Sequence, residues 1–293
     1  MKSPVFSKSK ASIIIVGCGF LGKATAQLFS EQGYRVTSIV SSEASREELL
    51  KGHPSFDIVA CDITNKADVK KNSPQLQAAT LMVYAVSSGK GNAEAYAAVY
   101  RDGLKNILAA WQPAHLIFVS STSVYAQTNG EIVTESSETK PDRATSQVLL
   151  EAEAIALAAG GRVTRFAGIY GPGRSVLLKK FLANEARLEE GGHRWINQIH
   201  RDDGAQALYH LGTAAAPAGI YNVTDDTPAT QREVYQWMSD YLQQPLPPSG
   251  PADLKRKRGW TSKRVSNKKL RATGWSPQFP SYREALPEFL KNK

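Results

Sequence analysis

Apolar residues in the first half of the chain fall into two alternating patterns. Short continuous runs, such as residues 13–16, carry no polar interruption, as expected of strands covered on both faces. Between them lie longer stretches in which apolar residues recur every three or four positions, the spacing of a helix with one buried face. Read this way, strands occupy residues 13–16, 35–40, 56–60, 81–86, 115–120 and 162–167. Helices occupy 20–32, stopped by Gly33, then 44–51, 93–111 and 145–159. The helix over 93–111 sets Tyr96, Val99, Tyr100, Gly103, Leu104, Ile107 and Leu108 on one stripe.

Regular strand–helix alternation predicts an α/β fold, a Rossmann-type doubly wound parallel sheet. Right-handed crossovers give the strand order 3-2-1-4-5-6, with ligands at the C-terminal strand ends above the switch between strands 1 and 4. After Tyr170 the pattern loosens. Gly171-Pro172-Gly173 breaks the chain, a basic helix covers 175–190, and a short strand lies within 195–199. A helix over 203–212, a strand over 219–223 and a helix over 231–243 follow. The expected organisation is a nucleotide-binding domain over 1–170, with a return segment near 200–223, and a smaller C-terminal substrate lobe over 171–293. No internal repeat is visible.

Gly17-Cys-Gly-Phe-Leu-Gly22 fits GxGxxG, and it follows an apolar strand and opens a helix, the context its mechanism needs. Gly17 permits the tight turn, Gly19 lets a pyrophosphate approach the backbone, and Gly22 lets the helix pack on the sheet. Phe20 and Leu21 begin the helix whose free N–H groups and positive dipole end meet the phosphates. An NAD-preferring site keeps an acid at the end of strand 2. Here Val40-Ser41-Ser42-Glu43 is followed by Arg46. Ser41, Ser42 and Arg46 suit a 2′-phosphate, so NADP is expected in preference to NAD, with Glu43 on a free 2′-hydroxyl as the alternative.

Composition narrows the rest. The 293 residues are 42% hydrophobic and 22% charged, with no apolar run near the ~20 residues a bilayer requires. The basic start MKSPVFSKSK leads only to the short apolar run 13–16, too short for a signal peptide core, so a cytoplasmic location is expected. Two cysteines, Cys18 and Cys61, make no disulfide framework, and no Walker loop, GxSxG or metal-ligand spacing occurs. The net charge of +9 sits between Lys255 and Arg271, where nine basic residues meet no acid. Without them, 27 basic residues face 27 acidic ones. That segment is a solvated basic loop or a lid over an anionic substrate. Nucleic-acid binding is disfavoured, since no recognition motif or aromatic platform accompanies the charge.

The order of pieces resembles the extended short-chain dehydrogenase/reductases of the NAD-dependent epimerase/dehydratase type. The resemblance rests on Val16-Gly-Cys-Gly-Phe-Leu-Gly22, Cys61-Asp62-Ile63, Tyr84-Ala85-Val86, Phe118-Val-Ser-Ser-Thr-Ser-Val-Tyr125, Arg165-Phe-Ala-Gly-Ile-Tyr-Gly-Pro-Gly173, Ile199-His-Arg-Asp-Asp203 and Gly219-Ile-Tyr-Asn-Val223. It implies that Asp62 and Ile63 meet the adenine and that Tyr84, Ala85, Val86 and Ser120 run along the cofactor. It also implies that Gly168, Ile169 and Tyr170 close the nicotinamide pocket. It implies a nucleotide sugar or similar anionic small molecule as substrate and, by family habit, a homodimer.

The family's paired Tyr and Lys are missing. Counted from Glu151, their positions hold Arg143 and Gln147, and no Tyr or Lys occurs between Pro141 and Tyr170. Arginine stays protonated and glutamine has no proton to exchange. The family's catalytic Ser corresponds to Ser121. Strand alternation extends the same face to Ser123 and Tyr125, which makes Tyr125 a candidate substitute acid, with Tyr170 a second. Arg143, Arg174 and His200 are candidates for holding an anionic substrate. Two readings stay open: an oxidoreductase or epimerase-like enzyme with a non-standard proton donor, and a silent NADP(H)-binding sensor.

Overall fold

The computed structural model describes residues 11–53, 55–76, 79–89, 92–252 and 261–290. Lys255, Arg256, Lys257 and Arg258 of the basic segment, and the basic N-terminal stretch, lie outside the described residues. The chain forms two compact units. The first comprises Met1–Ser121, Asp142–Arg165 and Ala205–Tyr221; the second comprises Thr122–Pro141, Phe166–Gly204 and Asn222–Lys293.

A seven-stranded sheet organises the fold. Its strands are β1 (Ser12–Val16), β2 (Arg35–Val40), β3 (Asp57–Ala60), β4 (Ala79–Tyr84), β5 (His115–Ser121), β6 (Arg162–Phe166) and β7 (Gly219–Val223). They lie in the order β7-β6-β5-β4-β1-β2-β3, which is the predicted doubly wound order with one strand added beyond strand 6. The ladders of β1 with β2 and β4, of β2 with β3 and of β4 with β5 are all parallel. All five residues of β1 are buried, the apolar run 13–16 together with Ser12 at its start. Each fully buried Ile or Val there stabilises by roughly 1.5–3 kcal/mol.

The crossovers begin with α1 (Phe20–Glu31), α2 (Glu43–Gly52) and α3 (Lys66–Asn72). The predicted long helix is present as α4, made of Ala93–Tyr96, a π-helical turn Ala97–Asp102 and Gly103–Ala110. The π-turn has a local cause. Tyr84 Oη, at the end of β4, donates to Val99 O at 2.6 Å, and Gly103 N–H reaches back five residues to Ala98 O. A side-chain donor inserted into the ladder widens it. Tyr84 is fully buried in this contact, and a Cβ on Gly103 would sit 2.8 Å from its hydroxyl. The expectation that Tyr84 lies along a cofactor is therefore corrected for its side chain, which serves the core.

The next helix, α5 (Ala144–Ala158), carries a residue that sequence patterning overlooked. Glu153 is buried on it and takes Arg165 of β6 at Nε (3.0 Å) and Nη2 (2.6 Å). Ser120 Oγ donates to the same carboxylate at 2.5 Å. Ser120 is thus a member of a buried polar triad, a correction to its expected place beside the cofactor.

In the second unit, α6 spans only Val176–Leu182, shorter than the predicted helix over 175–190, because Asn184 turns left-handed at φ 56°. The following residues form a two-stranded pair, Leu188–Glu189 with Ser249–Gly250. Helix α7 spans Arg201–Thr213, of which the residues from Ala205 onward belong to the first unit. Helix α8 (Gln231–Leu242) starts with a capping box of Thr230 and Glu233. With α9 (Lys268–Ala272) and α10 (Tyr282–Leu290) the unit is complete. Its core gathers Phe181, Tyr235, Met238, Tyr282 and Leu286.

The described end of the basic segment is built into this unit. Arg264–Val265 pairs in parallel with Ile132–Val133, and Asn197 brackets the segment by donating to Lys263 O and accepting Val265 N–H. Lys263 is 4% exposed and its Nζ donates to Tyr125 O at 2.7 Å and Thr261 Oγ1 at 3.1 Å. Burial pulls its ammonium down to about 8. Arg264 donates to Gly130 O and lies over the Trp195 ring. For Lys263 and Arg264, a solvated loop or a lid is not what the fold holds.

Asp225 is buried beside Asp203, Asp226, Glu284 and Tyr170 and accepts Thr227 N–H at 3.3 Å. Burial, then its acidic neighbours, pushes its carboxyl well above the usual range. Asp203 is pushed up to about 6 by burial, against the lowering effect of the Gln278 and Phe279 amides it accepts. Unfolded aspartates titrate near ~3.9, so the folded chain holds these protons more tightly. Their contribution is complete below about pH 4 and is lost as pH rises through the folded values. Asp225→Asn, which mimics the protonated acid, is expected to raise the melting temperature at about pH 8 and leave it nearly unchanged at about pH 4. Thermal scans across that range check this; a lower melting temperature at the higher pH would contradict it.

Candidate functional site

In the first unit, the Gly17–Gly22 loop joins β1 to α1 and is threaded between neighbouring strand ends. Gly17 N–H donates to Ile39 O at 2.9 Å, and Ala85 N–H donates to Val16 O at 2.8 Å. Gly17 has φ 92°, and a Cβ there would stand 2.8 Å from Ala85 O and Val86 Cα. A Cβ on Gly22 would stand 2.0 Å from Gly17 O. Only glycine fits either position. Gly19 differs: it is exposed, occupies the N-cap position of α1 at φ −83°, and a Cβ would meet nothing within 4 Å.

Gly19 gives no side-chain cap, and the first turn of α1, including Phe20 and Leu21, carries no acid. The N-terminal N–H groups of a helix have no intrahelical acceptor, and its dipole places positive charge there. The loop therefore fits a dinucleotide's diphosphate. Cys18, within it, is no ready nucleophile, because burial pushes its thiol up.

Beside the loop, Ser41 and Ser42 follow the end of β2 and are exposed. Ser42 Oγ caps α2 by accepting Ser45 N–H at 3.2 Å. Arg46 is held by Nε to Ile58 O at 2.9 Å and pairs with Glu43 at 3.2 Å. Asp62 closes a turn after β3, where its Oδ1 accepts Thr64 N–H and Thr64 Oγ1 at 2.9 and 2.7 Å. The neighbouring Ile63 is buried. Ala85 and Val86, half-buried, continue from β4. All these groups lie in or beside the loops at the C-terminal ends of β1, β2, β3 and β4.

Ser121 is the last residue of β5 and half-buried. Arg143 holds the N-cap position of α5, and Gln147 is exposed in its first turn. Glu151, one turn further, pairs with Arg101 at 3.0 Å. The start of α5 thus holds an arginine at the N-cap and a glutamine in the first turn.

In the second unit, strand alternation does not continue past Ser121, because Thr122–Val124 form a 3-10 turn. Ser123 lies in that turn. Tyr125 is fully buried, with its hydroxyl donating to Asn222 Oδ1 at 2.9 Å. Its expected role as a substitute acid is corrected: it is a core residue. The strand Gly168–Tyr170 pairs in parallel with Gln198–His200. Gly168 and Ile169 are half-buried. Tyr170 is 2% exposed and packs edge-on against His200 at 5.6 Å. Burial raises its hydroxyl far above the ordinary tyrosine value, so it too is no acid for turnover near neutral pH. Arg174 is exposed, in a bridge with Gly171. His200 is buried among Phe279, Phe289 and Tyr170, and burial lowers its pKa.

Sequence reasoning missed the Glu153–Arg165–Ser120 triad and Lys263. The family resemblance puts Arg165 in a pocket-closing segment and Ser120 in a cofactor segment, and neither points to this contact. The available signal was Glu153 on the apolar side of α5, between Ala152 and Ala156, both fully buried.

The family model described as "NAD dependent epimerase/dehydratase family" matches residues 13–224. A structure from Methylobacillus flagellatus, described as a candidate NAD-dependent epimerase/dehydratase, is 28% identical, covers 97% of this chain and 98% of its own, and has a TM-score of 0.77. The Bordetella bronchiseptica enzyme WbmG, in complex with NAD and UDP, is 17% identical over 95% of this chain and 92% of its own, at TM-score 0.79. DesIV, a dTDP-glucose 4,6-dehydratase from Streptomyces venezuelae with NAD and TYD bound, is 19% identical over 96% of both chains, at TM-score 0.79. These last two show the fold. No curated protein matches the sequence.

Proposed function

This chain belongs to the NAD dependent epimerase/dehydratase family, and from that premise we propose that it holds NADP(H) on the Gly17–Gly22 loop together with an anionic small molecule of the nucleotide-sugar class. One observation carries the cofactor reading: a Cβ on Gly19 would meet open space while those on Gly17 and Gly22 would strike backbone. A glycine that packing does not require, at the uncapped start of a helix without first-turn acids, is explained by a ligand's close approach. The nicotinamide, when bound, supplies hydride transfer. In the first unit, Ser121 is the hydroxyl assigned to orient a substrate oxygen and Arg143 the cation assigned to an anionic group.

NADP is preferred over NAD on local grounds. No carboxylate ends β2, and Glu43, the first residue of α2, is paired with Arg46. Arg46 is aimed by its Nε contact with Ile58 O while its side chain stays 41% exposed. A guanidinium anchored at one edge suits a terminal phosphate. Titration by nicotinamide fluorescence should show NADPH binding more tightly than NADH, and Arg46→Glu should cut that preference by about tenfold, some 1.4 kcal/mol. Equal affinities in the unaltered protein would sink the NADP assignment.

A specific observation favours cofactor binding without proton-coupled turnover. Both tyrosines considered as substitutes for the missing acid are buried, Tyr125 in a hydrogen bond with Asn222 and Tyr170 with a raised pKa. The silent-binder reading predicts that bound NADPH stays reduced across a panel of UDP- and dTDP-4-keto sugars. Oxidation slowed by Ser121→Ala would establish the enzyme reading instead.

A further inference from the structure

The ladder of β3 with β2 ends at Ala60, with one further bond from Cys61 N–H to Val40 O at 2.8 Å. Beyond it, side chains fix the turn Asp62–Asn65. Asn106, buried on α4, donates from Nδ2 to Ile63 O at 3.0 Å and to Thr64 O at 3.4 Å. Asp68, in the first turn of α3, accepts Asp62 N–H on Oδ2 at 2.6 Å. Its Oδ1 accepts Nδ2 of the buried Asn72 at 3.1 Å. The turn closes on itself through Asn65 N–H and Asp62 O at 3.0 Å. Ile63 seats against Gly103, where a Cβ would stand 3.1 Å from its Cδ1. All of these residues belong to the first unit.

The half-buried Asp62 is the residue that this turn offers to a ligand. Its contacts with Thr64 N–H and Oγ1, at 2.9 and 2.7 Å, both fall on Oδ1, so Oδ2 keeps its capacity to accept. Strand spacing brings a base to it. Strands β1, β2 and β3 are neighbours in that order, about 4.8 Å apart. With the diphosphate at the loop after β1 and the ribose 2′ group at Ser41, Ser42 and Arg46 after β2, the base continues to the turn after β3, about 10 Å from the loop. Adenine offers its exocyclic amine as a donor, and a carboxylate oxygen only accepts. Such an acceptor selects among bases only while its backbone stays fixed, because a displacement of about 1 Å breaks the bond.

Resting on the dinucleotide reading, we propose that Asn106 and Asp68 are positioning residues for base selection. By fixing the backbone of Asp62–Asn65 they hold the Asp62 carboxylate in register with the adenine amine, and so set a preference for adenine over hypoxanthine.

The test compares, by nicotinamide fluorescence, the affinities of the full chain for NADPH and for reduced nicotinamide hypoxanthine dinucleotide phosphate, which carries an oxygen in place of that amine. The parent should prefer NADPH by about tenfold. Asn106→Leu, which keeps the volume and removes the donor, and Asp68→Ala should each bring the ratio to about twofold or less, chiefly by weakening NADPH. A merely structural loss would weaken both dinucleotides alike and leave the ratio at its parent value. An unchanged ratio in Asp68→Ala, or in a folded Asn106→Leu, overturns the proposal, as does a parent that binds the two equally. If Asn106→Leu does not fold, Asp68→Ala, at a half-buried position, decides alone. A parent that binds neither dinucleotide removes the cofactor reading and the base selection together, whereas NADPH binding with an unchanged ratio removes only the second.

Discussion

Valine in place of Gly19 is expected to abolish NADPH binding at any attainable concentration while leaving the melting temperature within about 1–2 °C of the parent. Alanine in place of Gly22 is expected to do the reverse in kind: it should destabilise the fold itself by about 3 kcal/mol or more. The two residues are three positions apart in one loop, and the difference between them is geometric. A Cβ on Gly22 would stand 2.0 Å from Gly17 O, well inside contact distance, and the atom struck is backbone. Relief requires α1 to move off β1, which opens the contact that closes the sheet's central crossover. Gly19 has an ordinary backbone conformation at φ −83°, with nothing within 4 Å of the added carbon. A side chain there costs the free protein almost nothing and fills the space in which a diphosphate meets the helix start. Urea unfolding and fluorescence titration of both variants separate the effects. Unimpaired NADPH binding by Gly19→Val would remove the cofactor from this loop.

What the sequence disclosed and what it hid follow from the range of the interactions concerned. Strand positions were legible because a strand covered on both faces favours an unbroken apolar run, and residues 13–16 of β1 carry that signature. The glycine loop was legible because steric exclusion is written in residue type. The side-chain environments after β5 were not. Periodicity carried Ser121, Ser123 and Tyr125 along one face, but a 3-10 turn at Thr122–Val124 ends the alternation. Nothing local announces that turn, which is stabilised from far along the chain: Lys263 holds the Tyr125 carbonyl across 138 positions. The same distance effect defeated the reading of the basic segment, where charge suggested solvent but Lys263 lies inside. Tyr84 and Ser120 were misread because a motif reports where the backbone passes and not which way each side chain turns.

The buried ion pair of Glu153 and Arg165 supports the second large prediction. Both side chains are nearly sealed, at 3% and 4% exposure, and 2.6 Å apart. Arg165→Met alone strands a carboxylate in the core, and Glu153→Leu alone strands a guanidinium. Each single change should cost about 3–5 kcal/mol, since the charge left behind loses its compensation without regaining water. The pair as a whole contributes far less than either number suggests, because bringing two charges out of water nearly offsets their attraction. Changing both residues together should therefore recover most of the loss. Ser120 modifies that expectation. Its hydroxyl donates to the same carboxylate, so the double variant leaves one buried O–H without an acceptor, at about 1–3 kcal/mol. The triple variant Ser120→Ala, Glu153→Leu, Arg165→Met should then be the most stable of the series after the parent. Denaturant midpoints for the singles, the double and the triple give the coupling directly. Strict additivity of the two single losses in the double variant would mean that the charges do not compensate one another, and the account of this triad as a mutually satisfied unit between α5, β5 and β6 would fail.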